Sequence, residues 1–194
     1  MKKLILFLSA VCLCAPAAAQ QSWKTKGFEP QVRMVDAEGI DFQRNLNFGA
    51  DFVAAYRFNE IIRLGGGIGI EYVYMKFDEV DEPTTIFDYF DGYFEGAMTI
   101  PLFANVKVDF LRQTKVSPYF TADCGYSIFV PFSEYAEGNK LGMFVRPAFG
   151  VDIRFSKCTL FFEVGYKYQA RSFDNPLASY GAYHQLSSAI GVAF

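Results

Sequence analysis

Residues 94–110 alternate: Met98, Ile100, Leu102, Ala104, Val106, Val108 and Phe110 hold even positions, while Glu95, Thr99, Asn105, Lys107 and Asp109 stand among the odd ones. A period of two is the signature of a β-strand whose two faces meet different surroundings. The pattern recurs in residues 141–155, where Met143, Val145, Pro147, Phe149, Val151, Ile153 and Phe155 oppose Arg146, Asp152 and Arg154. In 158–170, Leu160, Phe162, Val164, Tyr166 and Tyr168 oppose Glu163 and Lys167. Because a slip of one residue would exchange every side chain between faces, such runs are committed to a sheet with two unlike sides.

Eight runs of this kind are present, at about 27–34, 41–58, 61–76, 93–110, 116–130, 141–155, 158–170 and 182–194. Asn59-Glu60, Leu111 to Lys115 and Ser156-Lys157 separate them briefly, whereas Val35 to Ile40, Phe77 to Gly92, Pro131 to Lys140 and Arg171 to Gly181 are mostly longer. Short turns at one end and long loops at the other describe an up-and-down antiparallel meander. Pro30 interrupts the first run, so the strand count is eight or differs by a pair. Every second run closes alike, on Phe58, Phe110, Phe155 and finally Val192-Ala193-Phe194, which sets four phenylalanines at one level, as in an aromatic girdle.

The polar parity collects eight acids, Glu29, Asp51, Glu71, Glu95, Asp109, Asp123, Asp152 and Glu163, and seven bases, Arg33, Arg57, Arg63, Lys107, Arg146, Arg154 and Lys167. Gly49, Gly65, Gly67, Gly69, Ala97, Gly125, Gly142, Ala148, Gly150, Gly165, Gly191 and Ala193 share it, as the crowded side of a small barrel requires. Eight strands enclose a lumen only just wide enough for side chains, too narrow for the many Phe, Tyr, Ile, Leu and Val of the other parity. The apolar face is therefore expected outside. In a membrane the reverse arrangement would turn fifteen charges to lipid at up to ~2–4 kcal/mol each, against a folding stability of about 5–15 kcal/mol. On the apolar parity the strands carry only Arg44 and Lys76, both beyond the residues needed to cross.

Met1 to Ala19 reads as a secretory signal peptide: Lys2 and Lys3, the apolar run Leu4 to Leu13, then Ala17-Ala18-Ala19. Residues 20–194 are then the barrel domain. Removing Lys2 and Lys3 from 18 basic residues leaves 16 against 21 acidic ones, and no basic stripe argues for a nucleic-acid partner. Cys12 and Cys14 lack the preceding small residue of a lipoprotein signal.

The signal peptide, the eight alternating runs and the terminal Phe194 resemble the small outer-membrane β-barrels, a family of all-β, eight-stranded antiparallel up-and-down transmembrane barrels that includes the barrel of outer membrane protein A and outer membrane protein X. The resemblance implies an outer-membrane location in a Gram-negative envelope and contact with membrane lipid and lipopolysaccharide. It also implies a monomer, both termini in the periplasm, and a last strand read by the barrel-assembly machinery. Ser187, Val192 and Phe194 match that assembly signal, and Ala189 stands where glycine is usual.

Candidate chemistry is sparse, and neither a cofactor nor a metal site is expected. Arg63 to Gly69 lacks both the G-x-G-x-x-G spacing and a following helix. His184 shares a face with Ser188, but four residues separate them, roughly 13 Å at ~3.3 Å per residue, too far for a nucleophile and its base. Cys124 and Cys158 fall on the fifth and seventh runs with a strand between, which predicts free thiols. The loop 77–92 interleaves Asp78, Glu79, Asp81, Glu82, Asp88 and Asp91 with Phe77, Phe87, Tyr89 and Phe90, and is a candidate surface for an extracellular partner. Its Asp88-Tyr89-Phe90-Asp91-Gly92 stretch lacks calcium-loop spacing. The near-neutral lumen charges point to a plug of paired ions and a non-enzymatic protein of envelope stability or surface interaction. A narrow porin for small polar solutes is the alternative, and a lipid A-modifying enzyme is a more distant one.

Overall fold

A computed structural model describes residues 26–40, 45–76, 94–111, 114–131, 139–173 and 181–194, with the backbone alone at 74–76, 94–96, 139–140 and 172–173. The signal-peptide segment 1–19, Arg44 and the loop 77–92 lie outside these residues, as do the side chains of Lys76 and Glu95.

The described chain is eight strands: β1 (Gly27–Gly39), β2 (Asn45–Arg57), β3 (Ile62–Lys76), β4 (Phe94–Asp109), β5 (Val116–Pro131), β6 (Asn139–Arg154), β7 (Thr159–Phe173) and β8 (Gly181–Ala193). Each pairs antiparallel with its neighbours in sequence, and β8 returns to β1 to close the barrel. Closure pairs the two edge strands with each other, edges that an open meander this apolar would leave as a template for aggregation. Pro30 does not end the first strand: it pairs with Ala54, and its carbonyl accepts the Phe194 amide at 3.0 Å. Its missing N–H falls on that final rung of the β1–β8 ladder, so it costs the sheet little.

The boundaries differ most from the sequence expectation in β1, and less at the start of β6 (Asn139 and Lys140) and the end of β7 (Arg171 to Phe173), both expected in loops. Val35 to Gly39 belongs to β1, where the alternation had suggested a loop from Val35 to Ile40. Val35 and Ala37 point inward and Asp36 and Glu38 outward, an inversion of the pattern below them. A second irregularity lies in β6, where the register against β7 shifts between Leu141 and Phe144. The shift turns Leu141, which shares the outward parity of Met143, into the barrel.

The shear of the barrel follows from its pairings. A row of partners runs from Gly27 through Arg57, Arg63, Lys107, Thr121, Ala148, Gly165 and Ser187 and meets β1 again at Ala37, ten residues higher. With eight strands, a rise of ~3.3 Å per residue and a strand spacing of ~4.7 Å, this shear tilts the strands about 41° from the axis.

That tilt converts strand positions into heights. Outward-facing Phe28, Phe58, Phe110, Phe155 and Phe194 form a ring at the short-turn end, and Phe48, Tyr72, Tyr126, Tyr168 and His184 form another toward the long-loop end. The two rings lie roughly 25 Å apart, the height of the apolar band of a membrane barrel. Between them the wall presents Phe52, Leu64, Ile68, Leu102, Val145, Phe149, Phe162, Val164 and Ile190, all exposed. No helix among the described residues is long and apolar enough to cross a membrane.

Candidate functional site

The inward parity of the strands delivers the expected charges to the lumen. Glu29, Arg33, Asp51, Arg57, Arg63, Glu71, Lys107, Asp109, Asp123, Arg146, Asp152, Arg154, Glu163 and Lys167 are all buried there. Glu95 lies on β4 with its side chain outside the described residues. Acids and bases in this set are equal in number; above them Arg171 of β7 shares the inward parity and lies over the Tyr183 ring, 4.9 Å from its centroid.

The charges form two clusters at different heights. In the lower, near the short turns, Arg63 is the hub: it bonds Glu29, reaches Asp109 at 3.1 Å and reaches Asp152 at 2.9 Å. Arg57 joins Glu29 and Asp109, both at 2.8 Å, Arg154 reaches Asp109 at 3.1 Å, and Lys107 reaches Asp152 at 2.6 Å. In the upper cluster Arg33 spans Asp51, Asp123 and Glu163 at 3.0, 2.7 and 3.4 Å. Arg146 meets Asp51 at 2.6 Å and Asp123 at 2.9 Å, and Lys167 meets Glu71 at 2.5 Å. Many of these partners come from strands on opposite sides of the barrel, so the pairs cross the lumen and stitch its walls together.

Side chains that the charge pattern did not single out complete the plug. Phe103, Tyr119, Phe144 and Phe161 also point inward, on the polar parity of β4, β5, β6 and β7. Phe103 and Phe144 meet edge to face at 6.0 Å, with the Arg33 guanidinium 5.1 Å from the Phe103 centroid and the Lys167 ammonium 5.5 Å from that of Phe144. Lower down, the Lys107 ammonium lies 3.4 Å from the Tyr119 centroid and 4.8 Å from that of Phe161. Tyr119 then donates its hydroxyl to Glu163 at 2.9 Å, linking the lower cluster to the upper. Aromatic faces give the two lysines a second partner besides their carboxylates. Parity alone would have flagged these rings; the space that admits them would not have been visible.

This geometry fills the bore with paired charge. A buried charge is costly unless paired and hydrogen-bonded, and here each basic side chain holds at least one carboxylate across the bore. Arg63 and Lys167 are both 0 % exposed. An ion entering would have to displace these pairs with no equivalent ligand offered in exchange.

The outer wall carries few polar groups. His184 lies on β8 beside Tyr166 and Tyr168 of β7, and its Nδ1 bonds the Tyr166 hydroxyl. Ser188 turns away from it to donate to Asp36 of β1. The nucleophile-and-base arrangement is thus not assembled: each candidate is committed to a different partner. Cys124 is exposed on the outer wall of β5, Cys158 sits in the β6–β7 turn, and both are free thiols. Val192 and Phe194 lie at the lower end of β8 on the outward parity, level with the phenylalanine ring. Among the described residues no group of three or more His, Cys, Asp and Glu is placed to hold a metal ion.

No protein-family model matches the chain, and no curated protein matches it. Solved structures do. The barrel is similar to the N-terminal β-barrel domain of Pseudomonas aeruginosa OprF, with 9% identity, 87% of this chain and 99% of that chain covered, and a TM-score of 0.48. It is similar to Neisserial surface protein A, NspA, at 14% identity, with 89% and 98% covered and a TM-score of 0.49. The outer membrane protein OprG from Pseudomonas aeruginosa matches at 11% identity, with 87% and 97% covered and a TM-score of 0.49. The likeness is one of fold.

Proposed function

We propose that this chain is an integral outer-membrane protein whose barrel is a sealed, non-enzymatic scaffold, with the short turns toward the periplasm and the long loops outside. The observation that carries this reading is the cross-braced lumen: Arg33 and Arg63 each bind three carboxylates, and aromatic rings pack against the basic side chains of both ion clusters. The wall supports it too, because an apolar band of roughly 25 Å between aromatic rings is stable only against hydrocarbon. Function then belongs to the surface. The acidic, aromatic loop 77–92 is the segment proposed to meet an extracellular partner, and the barrel supplies its rigid mount.

Planar-bilayer recording from purified protein tests the sealed lumen. No steady current is expected, and sustained open-channel steps would leave the narrow porin for small polar solutes as the reading. Deleting residues 83–91 tests the loop. Binding to host surfaces is expected to fall while the unboiled barrel keeps its faster gel migration; unchanged binding would remove the loop from the account. Lipid A of unaltered mass with and without the protein is the outcome expected of a non-enzyme.

A further inference from the structure

Among the described residues, Asp36 is the one acidic or basic side chain on the outward wall between the two aromatic rings. Its height is roughly 21 Å above the lower phenylalanines, by the same strand rise and tilt, so it lies near the upper edge of the apolar band rather than outside it. Leucine or valine would suit that position better if solvation alone decided it. An ionisable group in such surroundings marks a specific role, and its partner indicates which.

The partner is Ser188, which faces Asp36 directly in the β1–β8 register and donates its hydroxyl to the carboxylate. That pairing is the seam at which the two ends of the sheet meet. It is also a short one: Gln31–Gly39 pairs with Gln185–Ala193, and the backbone bonds from Phe194 to Pro30 and from Ile40 to His184 bracket the join. Below Pro30, β1 continues to Gly27 with β2 alone as its partner. Every other strand pair is joined by a turn or a loop, whereas nothing covalent holds β8 to β1. From these observations we infer that Asp36 and Ser188 form an outward clasp that holds the closing seam of the barrel shut within the membrane.

The clasp exploits its surroundings. In hydrocarbon a hydrogen bond faces no competition from water, and the carboxylate has no alternative ligand on this wall. Opening the seam would cost the seam's backbone bonds and would also strand a carboxyl group in an apolar medium. The penalty of placing Asp36 there is thereby converted into a penalty for separation. His184 and Tyr166, higher on β8 and β7, do not cross the seam.

The inference rests on the wall facing lipid, and a double-mutant cycle on the full chain separates the two. Wild type, Ser188→Ala, Asp36→Leu and the double variant are folded from urea into phosphatidylcholine vesicles, and the folded fraction is read from unboiled gel migration. Ser188→Ala is expected to lower the folded-to-unfolded ratio about tenfold by leaving the carboxyl group unpartnered. In the Asp36→Leu background the same change is expected to alter it less than about twofold. An equal loss in both backgrounds, or none in either, overturns the clasp; failure of the wild type to enter vesicles at all would instead sink the membrane reading.

A second variant locates the effect. Met34 and Ile190 are partners on the same outward face of the seam. With Cys124 and Cys158 replaced by serine, a Met34→Cys/Ile190→Cys disulfide should abolish the loss caused by Ser188→Ala when oxidised and restore it when reduced. A loss that persists under oxidation would place the role of Ser188 elsewhere and end the proposal.

Discussion

Phe103 of β4 lies over Gly67 of β3, its direct partner in the sheet register. A Cβ at position 67 would overlap the Phe103 ring, whose atoms are the three nearest it would meet. The same device recurs where Tyr119 faces Gly150 and Phe161 faces Gly191. Each of these three rings is admitted by the absence of a side chain directly opposite. Gly67→Ala should therefore destabilise the barrel by about 1–3 kcal/mol through overpacking. Adding Phe103→Leu should recover part of that loss, although it removes apolar contacts of its own. Urea midpoints of the three variants in lipid vesicles check this, and a double variant weaker than Gly67→Ala alone would show that the ring is not what the glycine accommodates.

The ion pairs of the lumen predict an asymmetry between single and double neutralisation. Lys167 meets Glu71 at 2.5 Å, and the same carboxylate accepts from Asn47 at 3.4 Å. Lys167→Met leaves Glu71 buried with its nearest cation removed, a change that costs about 3–5 kcal/mol when a buried pair is broken. Lys167→Met combined with Glu71→Gln removes the stranded charge and should recover most of the loss. Thermal loss of the compact, fast-migrating band distinguishes the two outcomes; equal destabilisation by the single and double changes would mean that the contact of the lysine with the Phe144 ring matters more than its pairing with Glu71.

The short turns should be sensitive at Asn59. Its side-chain oxygen accepts the Ile61 amide at 2.8 Å and the Ile62 amide at 2.7 Å, closing the β2–β3 connection. Asn59→Ala forfeits both, at about 1 kcal/mol for a solvent-facing turn, whereas Asn59→Asp should retain them. Vesicle refolding of both variants provides the comparison.

Much of this architecture was legible in the sequence because a wall with an apolar outer face and a cramped, charged lumen imposes a period of two along its strands. Val106, Lys107 and Val108 declare their faces without help from distant strands. The pattern failed where its physical cause changes. At Val35 to Glu38 the wall approaches the upper aromatic ring, small apolar residues fill the lumen while Asp36 and Glu38 point outward, and a reader of alternation sees a loop. That misplacement hid the partner of Ser188. The inward aromatics were missed for another reason: Phe161 needs Gly191, and Tyr119 needs Gly150, but which glycine faces which ring is fixed by register, which one chain's sequence does not disclose. The same holds for the ion pairs. The lumen charges were identifiable by parity, but that Arg33 would reach Asp123 across the bore follows only from closure with a shear of ten.

The two free cysteines offer the most direct test of which side of the wall meets lipid. Cys124 is exposed on the outer wall of β5, well between the aromatic rings, whereas Cys158 lies in the β6–β7 turn, where its carbonyl accepts the Phe155 amide at 2.8 Å. On the proposed membrane reading, the exposure of Cys124 is exposure to hydrocarbon, where a charged reagent does not penetrate. In protein folded into lipid vesicles, a membrane-impermeant maleimide supplied on both sides should label Cys158 and spare Cys124, while denaturation without reductant should make both thiols reactive. An apolar maleimide that partitions into the bilayer should reach Cys124 in the folded protein, though slowly. Rapid labelling of Cys124 by the impermeant reagent in the folded barrel would mean that water, not lipid, covers the apolar face, and the assignment of inside and outside would fall with it.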